Sequence, residues 1–377
     1  MRAIEKRNWD QVAYLISANP WLCEMTDLTT NQYLLHKLAL YGGGESTVDL
    51  STGASTAVRF VPAPSELNDD MVRLFSSAVH KFDQDGNLPL HMACAAANAS
   101  MVEILGDTFP GGATVRNEDG LLPIHLVILA CGSPRASTYG DSEAATDMVR
   151  TMLHLFPASV AIPDDEGNLP IHTAASVLRG DVGVDVIHLL LDEAVRQLED
   201  PYGARFRNKI ALEDLDNATV ETEPTDTPTD SAHESDELTY CTTVSNDAGE
   251  TALMAAIHAR AGWQIIDALV HGKGGPQSAL IEDMSKNNAL HLLLSEEYQD
   301  SAAALTILKN APETARHRNE EGILPIEVCR PVEKMRCLIC VWVGGISPTF
   351  LYMFLDCLYA VDEDRADPRD CPCGPSD

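Results

Sequence analysis

The sequence predicts an all-α solenoid of helix-turn-helix units joined by short β-turn or hairpin loops. Two observations carry that prediction. A Gly-x-Leu-Pro-x-His string recurs along the chain in near-regular phase. The 377 residues are 45% hydrophobic and only 6% aromatic, which favours Leu/Ala/Val-rich helices over a sheet sandwich.

The clearest copy is Asp85-Gly86-Asn87-Leu88-Pro89-Leu90-His91. Asp119-Gly120-Leu121-Leu122-Pro123-Ile124-His125 and Glu166-Gly167-Asn168-Leu169-Pro170-Ile171-His172 repeat it closely. Glu321-Gly322-Ile323-Leu324-Pro325-Ile326-Glu327 is weaker, and Gly249 to Met254 and Asn288 to His291 are degenerate. Leu34-Leu35-His36 is the first copy in the chain. The period is 34 residues from His91 to His125, 37 from Met254 to His291 and 36 from His291 to Glu327. It stretches to 47 between His125 and His172.

Each unit reads in the same order. The glycine, Gly86, Gly120, Gly167, Gly249 or Gly322, makes a turn that needs positive φ. Proline then opens a helix, where its missing N–H costs nothing. A short apolar helix follows, Pro89 to Ala96 in the clearest copy. A second helix carries apolar residues at helical spacing, such as Met101, Val102, Ile104 and Leu105. It stops at a proline: Asn19-Pro20, Phe109-Pro110, Phe156-Pro157 and Ala311-Pro312. Neither helix can bury its apolar face alone, so neighbouring units must stack.

On these residues the chain resembles the ankyrin repeat. That signature is Gly-x-Thr-Pro-Leu-His, an Ala-rich first helix and a second helix of the Ile-Val-x-x-Leu-Leu type. The copy from Asp83 to Arg116 aligns without a gap, and the resemblance runs over residues 8–330 in about seven units. The family threonine is replaced by Leu88, Leu122, Leu169 and Leu324; Thr251 keeps it, followed by Ala252 in place of proline. Lys286 stands where the turn glycine is expected. The tetratricopeptide repeat shares the period but not this turn.

Composition divides the chain further. Residues 43–68 and 132–145, rich in Gly, Ser and Thr, read as loop insertions in a first block of repeats over 8–198. Residues 199–245 read as a disordered acidic insertion, with ten acidic and no Lys or Arg residues between Glu213 and Glu237. A second block covers 246–330, an apolar segment 331–361, and an acidic tail 362–377. Cys337 to Leu355 is 19 residues without a charge, so a C-terminal cap and a membrane-spanning helix are both open. Gly344-Gly345 and Pro348 in mid-run favour the cap.

The chemistry of the chain excludes more than it offers. A formal net charge of −31 repels phosphate backbones, so nucleic acid is not an expected partner. Ten scattered cysteines and a charged stretch from Met1 to Asp10 predict reduced thiols in the cytoplasm or nucleus, with membrane anchoring through 337–355 as the alternative. Phosphate-loop, zinc-protease, nucleophile-elbow and dinucleotide motifs are absent. Cys337-x-x-Cys340 lies in an apolar run and Cys371-x-Cys373 in a Pro/Gly tail, so neither reads as a zinc site. No catalytic residue, metal or cofactor is predicted.

The resemblance implies a protein that binds other proteins on the concave face of its stack, without catalysis and as a monomer. It also implies that His36, His91, His125, His172 and His291 make hydrogen bonds between neighbouring turns. A histidine recurring once per structural unit is structural. The exposed turn tips carry over as Gln84 and Asp85, Glu118 and Asp119, Asp165 and Glu166, Asp247 and Ala248, and Glu320 and Glu321. Eight of those ten are acidic, so the expected partner is a basic protein segment.

Overall fold

The computed structural model describes residues 1–43, 62–132, 142–199, 240–295 and 300–328. The chain divides into two units, Met1–Ser278 and Ala279–Asp377. Among the described residues it is helical, with no strand beyond the isolated bridges Thr26–Tyr33 and Ser245–Thr251.

The first unit opens with α1 (Arg2–Glu5) and α2 (Trp9–Ala18). Hairpins follow: α3 (Leu34–Tyr41) with α4 (Ser65–Leu74), then α5 (Pro89–Ala95) with α6 (Ala99–Thr108). Next come α7 (Pro123–Gly132) with α8 (Ser142–Leu155), and α9 (Pro170–Val177) with α10 (Gly180–Glu199). The last are α11 (Ala252–His258), α12 (Trp263–His271) and the one-turn α13 (Gly275–Ser278). The first helices α3, α5, α7, α9 and α11 contact one another in that order. The second helices α4, α6, α8, α10 and α12 form a parallel series.

Local chemistry places each boundary. Pro89, Pro123 and Pro170 are the first residues of α5, α7 and α9. Asn8 caps α2 by accepting the Gln11 N–H, and Asn98 caps α6 by accepting the Met101 N–H. The Asn98 amide also donates to the Ala39 carbonyl at 3.1 Å, which ties α6 to the end of α3. Each hairpin buries the faces its spacing predicts: Leu90, Ala93 and Cys94 on α5, and Met101, Val102 and Leu105 on α6. Second helices stop where expected. Asn19, Phe109 and Phe156 terminate α2, α6 and α8, and each is followed by a five-residue 3₁₀ turn that opens on proline.

Three of the sequence boundaries move. The loop expected over 43–68 ends earlier, because Ser65 to Asn68 begin α4. Leu67, Met71 and Val72 lie on its buried face at helical spacing. The loop expected over 132–145 also yields to helix: Gly132 closes α7 and α8 starts at Ser142. Repeat structure resumes at Tyr240, six residues before the expected 246, with a 3₁₀ turn at Cys241–Thr243 and Ser245 paired to Thr251.

The second unit contains α14 (Ala289–Leu294), α15 (Ser301–Asn310) and α16 (Pro325–Val328). α14 packs on both of the others. Asp300 caps α15 by accepting the Ala302 and Ala303 N–H groups, and a 3₁₀ turn at Pro312–Arg316 follows the helix. Among the described residues no helix is long and apolar enough to cross a membrane. The segment 337–355, Cys337, Cys340, Cys371 and Cys373, the tail 362–377 and the acidic stretch 213–237 all lie outside the described residues.

Candidate functional site

The turns that precede the first helices are built alike. Gly86, Gly120, Gly167, Gly249 and Gly322 take φ between +71° and +78°. Lys286 occupies the same place at φ +59°, so the turn survives there with a side chain in the left-handed region. Three residues before each of these stands Asp or Asn: Asp83, Asn117, Asp164, Asn246, Asp283 and Asn319. One oxygen of each accepts two backbone N–H groups of its own turn, two and four residues later.

Three bonds join one turn to the next. Between the second and third turns the Glu118 N–H donates to the Asp85 carbonyl at 3.1 Å. The Asn117 amide donates to Asn87 Oδ1 at 3.0 Å, and His91 Nε2 donates to the Val115 carbonyl at 3.0 Å. The turn at Thr30 meets the next through Gln84 N–H to Thr30 carbonyl, Gln32 to Asp83, and His36 to the Asn87 carbonyl. Asp247 N–H to Glu166 carbonyl, Asn246 to Asn168 and His172 to the Val244 carbonyl repeat the set. In the second unit it is Glu320 N–H to Ser285 carbonyl, Asn319 to Asn287, and His291 to the Ile323 carbonyl.

The junction between the Asn117 and Asp164 turns makes none of the three. Leu121 offers no side-chain acceptor and Asp164 no amide donor, and no tip-to-tip backbone bond forms. The Asn168 carbonyl faces His125 outside hydrogen-bonding geometry, so the buried His125 Nε2 has no partner. Arg116 and Asp165, 3.6 Å apart at the surface, bridge the gap instead, with the Asp165 carboxylate lying over Gly120. Exposed pairs of this kind contribute about 0–1 kcal/mol.

Each histidine also caps its own helix. Nδ1 accepts the N–H three residues earlier: Tyr33 to His36, Leu88 to His91, Leu122 to His125, Leu169 to His172 and Asn288 to His291. Glu327 does the same with a carboxylate, accepting the Leu324 N–H at 2.6 Å. Thr251 and Asn288 bond the amide of the third helical residue through their side chains. Where leucine replaces threonine, the His125, His172 and Glu327 amides turn to the carbonyls of Leu122, Leu169 and Leu324. The four leucines are themselves buried. Burial lowers the pKa of all five histidines, pushing His91 and His125 to about 4 despite the opposing pull of backbone carbonyls and nearby carboxylates.

Gln84, Asp85, Glu118, Asp119, Asp165, Glu166, Asp247, Glu320 and Glu321 are all solvent-exposed at the turn tips. The Lys286 turn interrupts the acidic pattern, since its tip presents Ser285 and Met284, the latter 77% exposed. Behind the tips lies the outer face of the first helices, one and four residues after each repeat histidine. It is apolar on α5 and α7, with Met92, Ala95, Leu126 and Leu129, and becomes Thr173 and Ser176 on α9. Among the described residues no cluster of His, Cys, Asp and Glu has the geometry to hold a metal. Cys23 and Cys131 are buried thiols, pushed up to about 11 and about 12 by desolvation.

Residues 71–127 match the family described as ankyrin repeats (many copies). No curated protein matches the chain. Among solved structures, the ankyrin repeat domain of Bcl-3, described as a unique member of the IkappaB protein family, aligns with 81% of this chain and 98% of its own. The identity is 13% and the TM-score 0.41.

Proposed function

We propose that this chain, whose residues 71–127 match the ankyrin-repeat family, is a non-catalytic module that grips a basic segment of another protein along its turn tips. Ankyrin repeats imply protein–protein interaction. The observation that supports a basic partner is the exposure of Asp85, Glu118, Asp119, Asp165, Glu166 and Asp247 on turns that hydrogen bonds hold in place. A preformed surface loses little ordering entropy on binding, and an acidic one speeds encounter with cationic partners. This reading places the protein in the cytoplasm or nucleus, the compartment expected for scattered cysteines.

The test is affinity capture with the full chain and with a variant carrying Asp85→Lys, Glu118→Lys and Asp119→Lys, each at low and high ionic strength. Capture that falls with the variant and with salt supports the proposal, because exposed charges are screened beyond about 10 Å at 0.1 M salt. The same partners held equally by both chains at both salts would refute it.

A further inference from the structure

We infer that the outer face of α5 and α7 takes one kind of partner element, a basic amphipathic helix. The inference rests on the acidic-tip reading above and adds the apolar half of the recognition. Met92 and Leu126 are half-buried, Leu129 is 37% exposed, and all three occupy the histidine-plus-one or plus-four positions of neighbouring first helices. Such positions share one helix face. The stripe does not continue as an apolar face: Thr173 and Ser176 hold the equivalent places on α9, Ala255 and His258 on α11, and on α3 a half-buried Leu40 stands beside Lys37, whose ammonium is paired with Asp27 and Glu5. Its apolar part is therefore two helices wide.

Charge settles the flank. Asp85, Glu118 and Asp119 rise from the turns that lead into these two helices, and all three are exposed. The nearby cation Arg116 is paired with Asp165 on the far side of the α7 turn. A partner must thus offer apolar groups on one side and cations beside them. Dimensions favour a helix. Packed helices stand about 8–10 Å apart, and residues i and i+7 of a helix are about 10 Å apart along its axis. One apolar row of a partner helix can then reach Met92 and Leu129 together, while Lys or Arg one turn over faces the carboxylates.

The probe is a labelled Leu/Lys peptide of about five helical turns with its leucines on one face. A shuffled peptide of identical composition is the control, and anisotropy is read with the full chain. Wild type is expected to bind the one-faced peptide about tenfold more tightly than the shuffled one, the scale of one buried leucine anchor. Leu129→Gln is expected to remove that preference, with Leu126→Gln as a second variant and circular dichroism confirming that both fold. Triple charge reversal at Asp85, Glu118 and Asp119 is expected to weaken both peptides. Both glutamine variants retaining the preference, or wild type failing to bind the one-faced peptide, overturns the inference. If charge reversal still weakens binding in the first case, the acidic-tip reading stands alone. Charge reversal without effect on either peptide overturns both.

Discussion

Asn117 reaches back thirty residues to Asn87, its amide donating to Asn87 Oδ1 at 3.0 Å. Its own Oδ1 meanwhile accepts the N–H groups of Asp119 and Leu121. One side chain therefore both shapes a turn and fastens it to its neighbour. Buried as it is, Asn117→Ala leaves two amides and an acceptor unmatched, and is expected to cost roughly 1–3 kcal/mol in urea unfolding. The adjacent exposed Glu118→Ala is expected to stay within about 0.5 kcal/mol. Equal effects for the two would show that the Asn117 bonds carry no net stability.

Within the first unit, the unlinked junction between the Asn117 and Asp164 turns is expected to open more readily than the linked junctions on either side of it. The Asp165 N–H has no partner, whereas Glu118 and Asp247 donate theirs to the preceding tip. Hydrogen exchange followed by NMR is expected to show Asp165 exchanging faster than either. Installing the missing pair, Leu121→Asn with Asp164→Asn, is expected to raise stability by about 0.5–1.5 kcal/mol over the sum of the single changes. No coupling between them would argue that the absent amide bond is not what distinguishes this junction.

Acid should loosen the repeats before carboxylates titrate. His91 and His125 ionise near 4 in the fold, against 6.5 for a free ring. Above 6.5 both states are neutral and nothing is gained or lost. As pH falls from 6.5 towards 4, the unfolded chain takes up protons that the folded chain refuses. Stability then declines by up to roughly 3 kcal/mol per ring. His36, His172 and His291 shift the same way. Relief of acidic self-repulsion acts mainly near the carboxylate range, so unfolding midpoints between pH 7 and about 5 isolate the histidine effect. A midpoint that stays constant or rises over that interval contradicts it.

Two turn glycines separate strain from crowding. A Cβ on Gly120 would run into the Asp165 carboxylate, and one on Gly167 would come within 2.8 Å of the Asp247 backbone nitrogen. The carboxylate is exposed and can swing away. The Asp247 nitrogen cannot move without breaking its bond to the Glu166 carbonyl. Both alanine variants pay the left-handed backbone penalty of about 1–2 kcal/mol. Gly167→Ala is nevertheless expected to be the costlier by about 1 kcal/mol or more, read by thermal or urea unfolding. Gly120→Ala proving the worse would mean that the Asp165 position is fixed by more than its surface ion pair.

The hairpin pattern was legible because its signals are local. Gly86, Pro89 and His91 fix a turn, a helix start and a cap within six residues, and Phe109-Pro110 fixes a stop. Glu327 could also have been read as a cap, since a carboxylate three residues into a helix is a known start signal. The start of α4 was hidden by composition: the Gly, Ser and Thr of the preceding stretch masked the spacing of Leu67, Met71 and Val72. The turn-to-turn bonds were not legible at all. Asp83, Asn117, Asp164 and Asn246 recur visibly, but which amide meets which oxygen depends on stacking across thirty or more residues. The acidic tips were visible as residues, while the apolar stripe beside them emerged only once Met92, Leu126 and Leu129 shared a face.

Leu88, Leu122, Leu169 and Leu324 put hydrocarbon where a hydroxyl would otherwise bond. Water exclusion weakens on chilling, and exposing such groups raises the heat capacity of unfolding. Each of these leucines therefore adds a little to the curvature of stability with temperature. Restoring threonine at these sites would flatten the curve, trading peak cohesion for tolerance of cold.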